Sequence, residues 1–179
     1  MRNKKILHFQ IFSIIFTAIL GSILHFAYEW SNGNLFVASF SAINESVWEH
    51  LKLLFFPMLI TTIIGYLYIG KDSLNFICAK TIGIIVSLLF VVIFFYSYTS
   101  ILGTHIPILD ISSFFIAIIL GEFVAYKIIL SRIICNPKFS IIILSILLVC
   151  FIIFTYFQPN LKIFEDPVSK VSYNAKKKY

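Results

Sequence analysis

Most of the side chains that could do chemistry lie in one stretch of the chain, residues 25–57. His25 and Glu29 are four positions apart, which is one helical turn, so their side chains share a face. Further along, a helix of 100° per residue places three more ionisable residues within an arc of about 100°: Glu45, Glu49 and Lys52, with His50 one step from Glu49. Imidazoles and carboxylates are the ligands that a divalent transition metal prefers.

This composition favours a membrane-embedded, divalent-metal-dependent hydrolase or a related lipid-processing enzyme. Three protein ligands that leave one position open can activate a bound water molecule. In this hypothesis His25, His50 and His105 hold an ion such as zinc, and Glu49 or Glu29 completes the shell or acts as the general base. The ligand acted upon is a lipid or a small molecule.

Two other interpretations stay open. In the first, the protein is a transporter or ion-binding protein whose acidic and basic residues form a proton or cation relay: Glu29, Glu45, Glu49, Lys52 and Glu122. Carboxylates at two depths favour this reading, and five helices would then need a homo-oligomer to build a pathway. In the second, the protein is a non-catalytic scaffold whose polar belt fixes helix packing or binds a partner.

Several of these residues also have ordinary structural explanations. Glu45, Glu49 and Lys52 could form a ladder at the start of a helix, where Ser46-x-x-Glu49 fits a capping box and Asn44 is a second candidate cap. Asp110 is suited to capping a helix, and His105 lies in a loop before Pro107. Glu122 lies about 18 Å deeper than Asp110, so we expect it to pair with Lys80 or Lys127.

The elements that must position these residues are membrane-spanning helices. Of the 179 residues, 60% are hydrophobic and only 12% are charged, far from the composition of a soluble domain. Continuous apolar runs predict five helical spans: residues 6–28, 47–69, 74–98, 108–130 and 139–157. The prediction is an all-α, polytopic transmembrane helical bundle. Residues 1–157 form its single domain, and residues 158–179 form a polar tail.

The distribution of basic residues predicts that the amino terminus faces inward. Eight lysines and arginines then lie on the inner side, whereas the two outer loops hold only Lys52. Five spans place His25, His50, His105 and Asp110 at the outer face, opposite His8. The lysine-rich tail also falls outside, which runs against the same rule. The basic residues are scattered and carry no recognised motif, so we expect no nucleic-acid partner beside the lipid bilayer.

The cysteines and the tail allow two further expectations. Cys78, Cys135 and Cys150 show no CxxC spacing, so the sequence predicts small buried or lipid-facing residues rather than a disulfide or a zinc framework. The segment Phe164-Glu165-Asp166-Pro167 follows the last span closely and could fold over the polar site as a lid. The alternative is a disordered polar tail, which is the expectation for residues 175–179.

The block Asn44-Glu45-Ser46-Val47-Trp48-Glu49-His50-Leu51-Lys52, preceded by His25-Phe26-x-Tyr28-Glu29-Trp30, resembles an uncharacterised family of small bacterial membrane proteins. The likeness extends over the whole chain and includes Gly103-Thr104-His105. It implies a multi-pass protein of the bacterial inner membrane. It implies no activity, so the expectation of a site rests on residue types and topology.

Overall fold

Six α-helices and a short 3₁₀ helix are described in full. The computed structural model describes residues 2–70, 73, 75–131 and 135–167. In chain order the α-helices are α1 (Arg2–Trp30), α2 (Leu35–Ala38), α3 (Val47–Tyr68), α4 (Phe76–Leu102), α5 (Pro107–Leu130) and α6 (Pro137–Tyr156). The 3₁₀ helix covers Lys162–Phe164. The described ranges contain no strand.

Five of the helices are long and apolar enough to cross a membrane, which confirms the predicted helical bundle of about five spans. They are α1, α3, α4, α5 and α6. Their outward faces carry many exposed isoleucine, leucine and phenylalanine side chains, a surface suited to lipid rather than water. The chain is therefore a multi-pass helical membrane protein.

Local sequence signals set the helix ends. Ser46 accepts a hydrogen bond from the Glu49 amide at 3.4 Å and caps α3. The reciprocal half of the predicted capping box is absent, because the Glu49 carboxylate accepts from the Ile43 amide instead. α4 ends at Leu102 and is capped by Gly103, whose φ of 73° is a left-handed conformation that glycine adopts readily. Pro107 then opens α5 at a position that needs no amide donor.

Contacts between successive helices define two ends of the bundle. At one end, here called the basic end, Lys5 near the start of α1 contacts Tyr68 at the end of α3. At the other end, here called the cluster end, the Tyr98 hydroxyl of α4 donates a hydrogen bond to Asp110 near the start of α5. The polar stretch from His25 to Lys52 also lies at the cluster end, whereas His8 lies toward the basic end, as predicted.

Close packing of α4 on α5 fixes the middle of the bundle. A Cβ atom added to Gly121 would lie 2.5 Å from the Gly83 carbonyl oxygen and would collide with the Ser87 hydroxyl. The Ser87 hydroxyl donates to the Ala117 carbonyl across this contact at 2.7 Å. The absence of a side chain at Gly121 therefore allows α4 to approach α5 closely.

A buried ion pair joins the same two helices. The Lys80 ammonium lies 2.5 and 2.7 Å from the two carboxylate oxygens of Glu122, and neither side chain is exposed. The expected partner of Glu122 is thus confirmed as Lys80. Bidentate contact compensates part of the cost of placing both charges in an apolar interior.

The prediction for two of the cysteines was wrong. Cys78 and Cys135 form a disulfide, whereas Cys150 is free. The two residues are 57 positions apart and have no motif spacing. They meet because Cys78 lies in the first turn of α4 and Cys135 lies in the connection before α6, and both segments lie at the basic end.

Candidate metal centre and its cavity

A cavity of about 170 Å³ opens at the cluster end between α1, α3, α4 and α5. Its ionisable lining residues are His25, Glu45, His50, His105 and Asp110. Much of the remaining wall is apolar, from Val47, Leu54, Val91, Phe95, Ile111 and Phe114. The cavity therefore combines ionisable groups with a surface that accepts hydrocarbon.

Three of these residues form a compact group of potential metal ligands. One nitrogen or oxygen atom from each of His25, Glu45 and His50 lies within 4.8 Å of the other two. The His50 Nε2 atom is 3.3 Å from Glu45 Oε2, and the His25 Nε2 atom is 4.0 Å from Glu45 Oε1. Tetrahedral zinc with bonds of about 2.0–2.1 Å separates its ligand atoms by roughly 3.4 Å. Small side-chain movements would bring the group to that geometry.

The start of α3 orients His50. The His50 Nδ1 atom is 3.0 Å from the carbonyl oxygen of Ser46, one turn earlier, so Nδ1 carries a proton and donates. This contact directs Nε2 toward Glu45 and leaves its lone pair for either a proton or a metal ion. A backbone carbonyl on the second ring nitrogen is the usual arrangement around metal-binding histidines.

Glu45 lies outside the spans, in the segment before α3. The hydrogen bond from His50 is the main cause that lowers the pKa of Glu45, and it outweighs the partial burial that acts to raise it. Nearby His25 and His105 lower the pKa further. Glu45 therefore stays ionised at lower pH than a free glutamate, and its contribution to stability is lost only as the pH falls through the lowered value.

His105 lies on the same cavity but belongs to a second group. Its Nδ1 atom is 3.7 Å from Asp110 Oδ2, and the Tyr98 hydroxyl donates to Asp110 Oδ1. The Ile106 amide donates to the Tyr98 oxygen at 3.2 Å, which anchors the tyrosine in turn. His105 is thus held by a carboxylate near the metal-ligand group, rather than being part of it.

Glu49 and Lys52 form a fully buried pair away from the cavity lining. The Lys52 ammonium is 2.6 Å from Glu49 Oε2. It also donates to the Ala38 carbonyl and to the Thr155 hydroxyl, each at 2.8 Å. These bonds tie α2 and α6 to α3, so the pair holds together the elements around the site.

The remaining predicted residues lie apart from the group. Glu29 is exposed on α1 and does not line the cavity. Glu122 pairs with Lys80 near the basic end.

The tail segment returns to the bundle at the cluster end. The Phe164 ring is buried and lies 4.8 Å from the Trp48 ring, measured between centroids. Pro167, three residues later, lines the cavity. The described tail therefore packs beside the site, in the place expected for a lid, and residues 175–179 lie outside the described ranges.

Tyr98 is a site residue that was not predicted from the sequence. The common role of a tyrosine at the end of a span is that of an aromatic anchor at the membrane surface. Its bond to Asp110 depends on how α4 and α5 meet across the loop between them. No spacing rule within one helix signals such a contact.

The model of a family of unknown function, DUF6512, matches residues 1–173. The chain belongs to this family. The expectation that the chain belongs to an uncharacterised family is thus confirmed. No curated protein matches the chain, and no solved structure does.

Proposed function

We propose that the protein binds a divalent transition metal ion, such as zinc, at His25, Glu45 and His50. The convergence of their three ligand atoms within 4.8 Å carries this proposal. Two imidazoles and one carboxylate are an established ligand set for catalytic zinc, and the adjoining cavity leaves space for a fourth ligand. Glu45 thus replaces His105 as the third ligand of the set predicted from the sequence.

The surroundings of the ligand group support hydrolysis of an ester or a related bond in a lipid-like substrate. A divalent ion at this position would activate water and polarise the oxygen of the bond to be cleaved. His105, which lies beside Asp110, lines the same cavity and would serve as the proton-transfer group. The apolar wall suits an acyl chain, so the substrate class that fits best is a membrane lipid or a lipid-linked molecule.

Transport by an acidic relay receives less support. Glu49 and Glu122 are each paired with a buried lysine, so each charge is already compensated. The location that fits the proposed function is the inner membrane of a bacterium, with the cluster end outward, as the basic residues of the other end favour.

Elemental analysis of the detergent-purified protein tests the metal site. We expect about one zinc or manganese ion per chain after dialysis against either metal. His25→Ala, His50→Ala and Glu45→Gln should each lower metal retention at least tenfold, because second-shell changes alone cost about 10–100-fold.

His8→Ala is the matched control, since His8 lies on α1 like His25 but is exposed near the basic end. Its metal content should equal that of the unaltered protein. Absence of bound metal in the unaltered protein, or equal retention by all four variants, would refute the metal site.

A further inference from the structure

A second cavity lies at the basic end, on the side of the bundle where α1 meets α3. It encloses about 320 Å³ and is lined by Lys5, His8, Phe9, Phe12, Ile64 and Tyr68. The α1 residues recur at spacings of three and four, and the two α3 residues are four apart, so each set shares one helical face. The groove therefore runs along the contact between the two helices and is separate from the metal-ligand group.

One cation is held at this groove. The Lys5 ammonium donates to the Tyr68 carbonyl at 3.2 Å and lies 4.2 Å from the centroid of the Tyr68 ring. An ammonium group has three donors, so Lys5 has two more for an anion. The ring nitrogens of His8, one turn further along α1, offer another donor to the same groove.

The rest of the groove is apolar and open to the surroundings of the bundle. Phe12 is 45% exposed and Ile64 is 39% exposed, although both belong to membrane-spanning helices. Lys5 lies near the end of its span, where lipid headgroups are found, and Phe12 lies two turns deeper. The groove thus presents a cation at headgroup depth above a hydrocarbon-binding surface.

We propose that this groove binds an anionic phospholipid. Its phosphate accepts hydrogen bonds from Lys5 and His8, and one acyl chain lies along Phe12 and Ile64. A lipid fits better than a free anion because the charge and the apolar surface are continuous within one groove. Lysine beside an anionic membrane surface contributes about 1 kcal/mol, which corresponds to about fivefold in affinity.

Native mass spectrometry of the detergent-solubilised protein, titrated with phosphatidylglycerol or phosphatidylcholine, tests this site. We expect phosphatidylglycerol to bind more tightly. Lys5→Gln should reduce that preference about fivefold. Lys127→Gln is the matched control, because Lys127 is also exposed and lies over an aromatic ring, 5.3 Å from the centroid of Phe123, but does not line the groove. Its preference should be unchanged.

Lys5 also donates a hydrogen bond to the Tyr68 carbonyl at the end of α3. Lys5→Gln should therefore lower the melting temperature of the protein in either lipid. The ratio of the two affinities separates lipid recognition from this structural role, and Lys5→Arg should restore the ratio. An unchanged ratio in Lys5→Gln would overturn the proposal. So would displacement of phosphatidylglycerol by millimolar inorganic phosphate, since the groove would then recognise a free anion.

Discussion

At the scale of single residues, the neighbours of each acidic side chain decide what it can do. Glu49 faces a lysine ammonium at 2.6 Å and is fully buried. Glu45 faces two histidines, which can exchange a proton for a metal ion. Asp110 faces a tyrosine hydroxyl and His105. Three carboxylates that the sequence places near one membrane face therefore have different surroundings: Glu49 pairs with a lysine, Glu45 is the proposed metal ligand, and Asp110 lies beside His105.

His105→Gln should separate metal binding from catalysis. The variant should retain metal, because His105 is outside the metal-ligand group, but should lose the group that transfers protons. General acid–base catalysis contributes about 10²–10⁴-fold, so kcat for micellar chromogenic carboxylic or phosphoric esters should fall by that factor.

Metal analysis of the same preparations checks that the fall in kcat is not caused by loss of the metal ion. His8→Gln serves as the control. Turnover by His105→Gln at the rate of the unaltered protein would remove the proton-transfer role. If the unaltered protein cleaves none of these esters, the hydrolase assignment is wrong even where metal is bound.

At the scale of helices, α1 contains two buried hydroxyls that lack the hydrogen bond usual for such groups. Many hydroxyls in the other spans donate to a carbonyl of their own helix, as Thr62, Thr81 and Thr155 do. Ser13 and Thr17 of α1 are fully buried, yet their hydroxyls have no hydrogen-bond partner. A buried hydroxyl without a partner destabilises the fold. Hydrogen bonds of these two hydroxyls therefore do not hold this face of α1 against its neighbours.

Thr17→Val and Thr155→Val should therefore have different effects on stability. Valine has nearly the shape of threonine, and at position 17 it removes an unsatisfied hydroxyl, so the free energy of unfolding should stay constant or rise. Thr155 accepts from Lys52 at 2.8 Å, and its replacement leaves a buried ammonium short of one acceptor. We expect a loss of about 1–3 kcal/mol there.

Thermal unfolding of both variants in the same detergent checks this difference. A larger loss for Thr17→Val than for Thr155→Val would show that the Thr17 hydroxyl contributes a bond within the bundle.

The spans could be predicted from the sequence because long apolar runs leave few alternatives in lipid. The predicted limits of the third span, residues 74–98, differ from α4 by a few residues, since the helix continues through Tyr98 to Leu102 beyond the most apolar part. The pairing of Glu122 with Lys80 could also be predicted from the sequence, because a carboxylate at that depth in the membrane needs a cation as its partner.

The composition of the metal-ligand group could be predicted only in part. His25 and His50 were identified, but Glu45 joins them because the non-helical segment before α3 folds back toward α1. Helical periodicity placed Glu45 on the face of Glu49 and Lys52 instead. The disulfide between Cys78 and Cys135 likewise depends on a contact between distant segments, which no local spacing encodes.

At the scale of the whole molecule, the two ends of the bundle differ in chemistry. The cluster end holds the histidines and their carboxylates, and the basic end holds Lys5, His8 and the proposed lipid groove. The distribution of basic residues favours a cytoplasmic basic end and predicts that the candidate metal centre faces the opposite compartment. Metal supply and substrate would then come from outside the cytoplasm. The Cys78–Cys135 disulfide at the basic end favours the reverse, because disulfides are rare in the reducing cytoplasm.

Cysteine labelling of a Cys150→Ala background in bacterial spheroplasts tests this orientation. A membrane-impermeant maleimide should label Thr104→Cys in intact spheroplasts, because Thr104 is exposed in the loop at the cluster end. Asn3→Cys, exposed near the start of α1, should react only after permeabilisation. The reverse pattern would place the metal centre in the cytoplasm.

The packing of the tail also bears on how the protein is made. His25 comes from the first span, whereas Phe164 and Pro167 follow the last one, yet all three lie around one end of the bundle. Because a ribosome makes the chain from its amino end, the cavity stays incomplete until all five spans have left the insertion machinery. A fusion partner placed between Tyr156 and Pro167 would interrupt this last step, whereas one joined ahead of α1 leaves it intact.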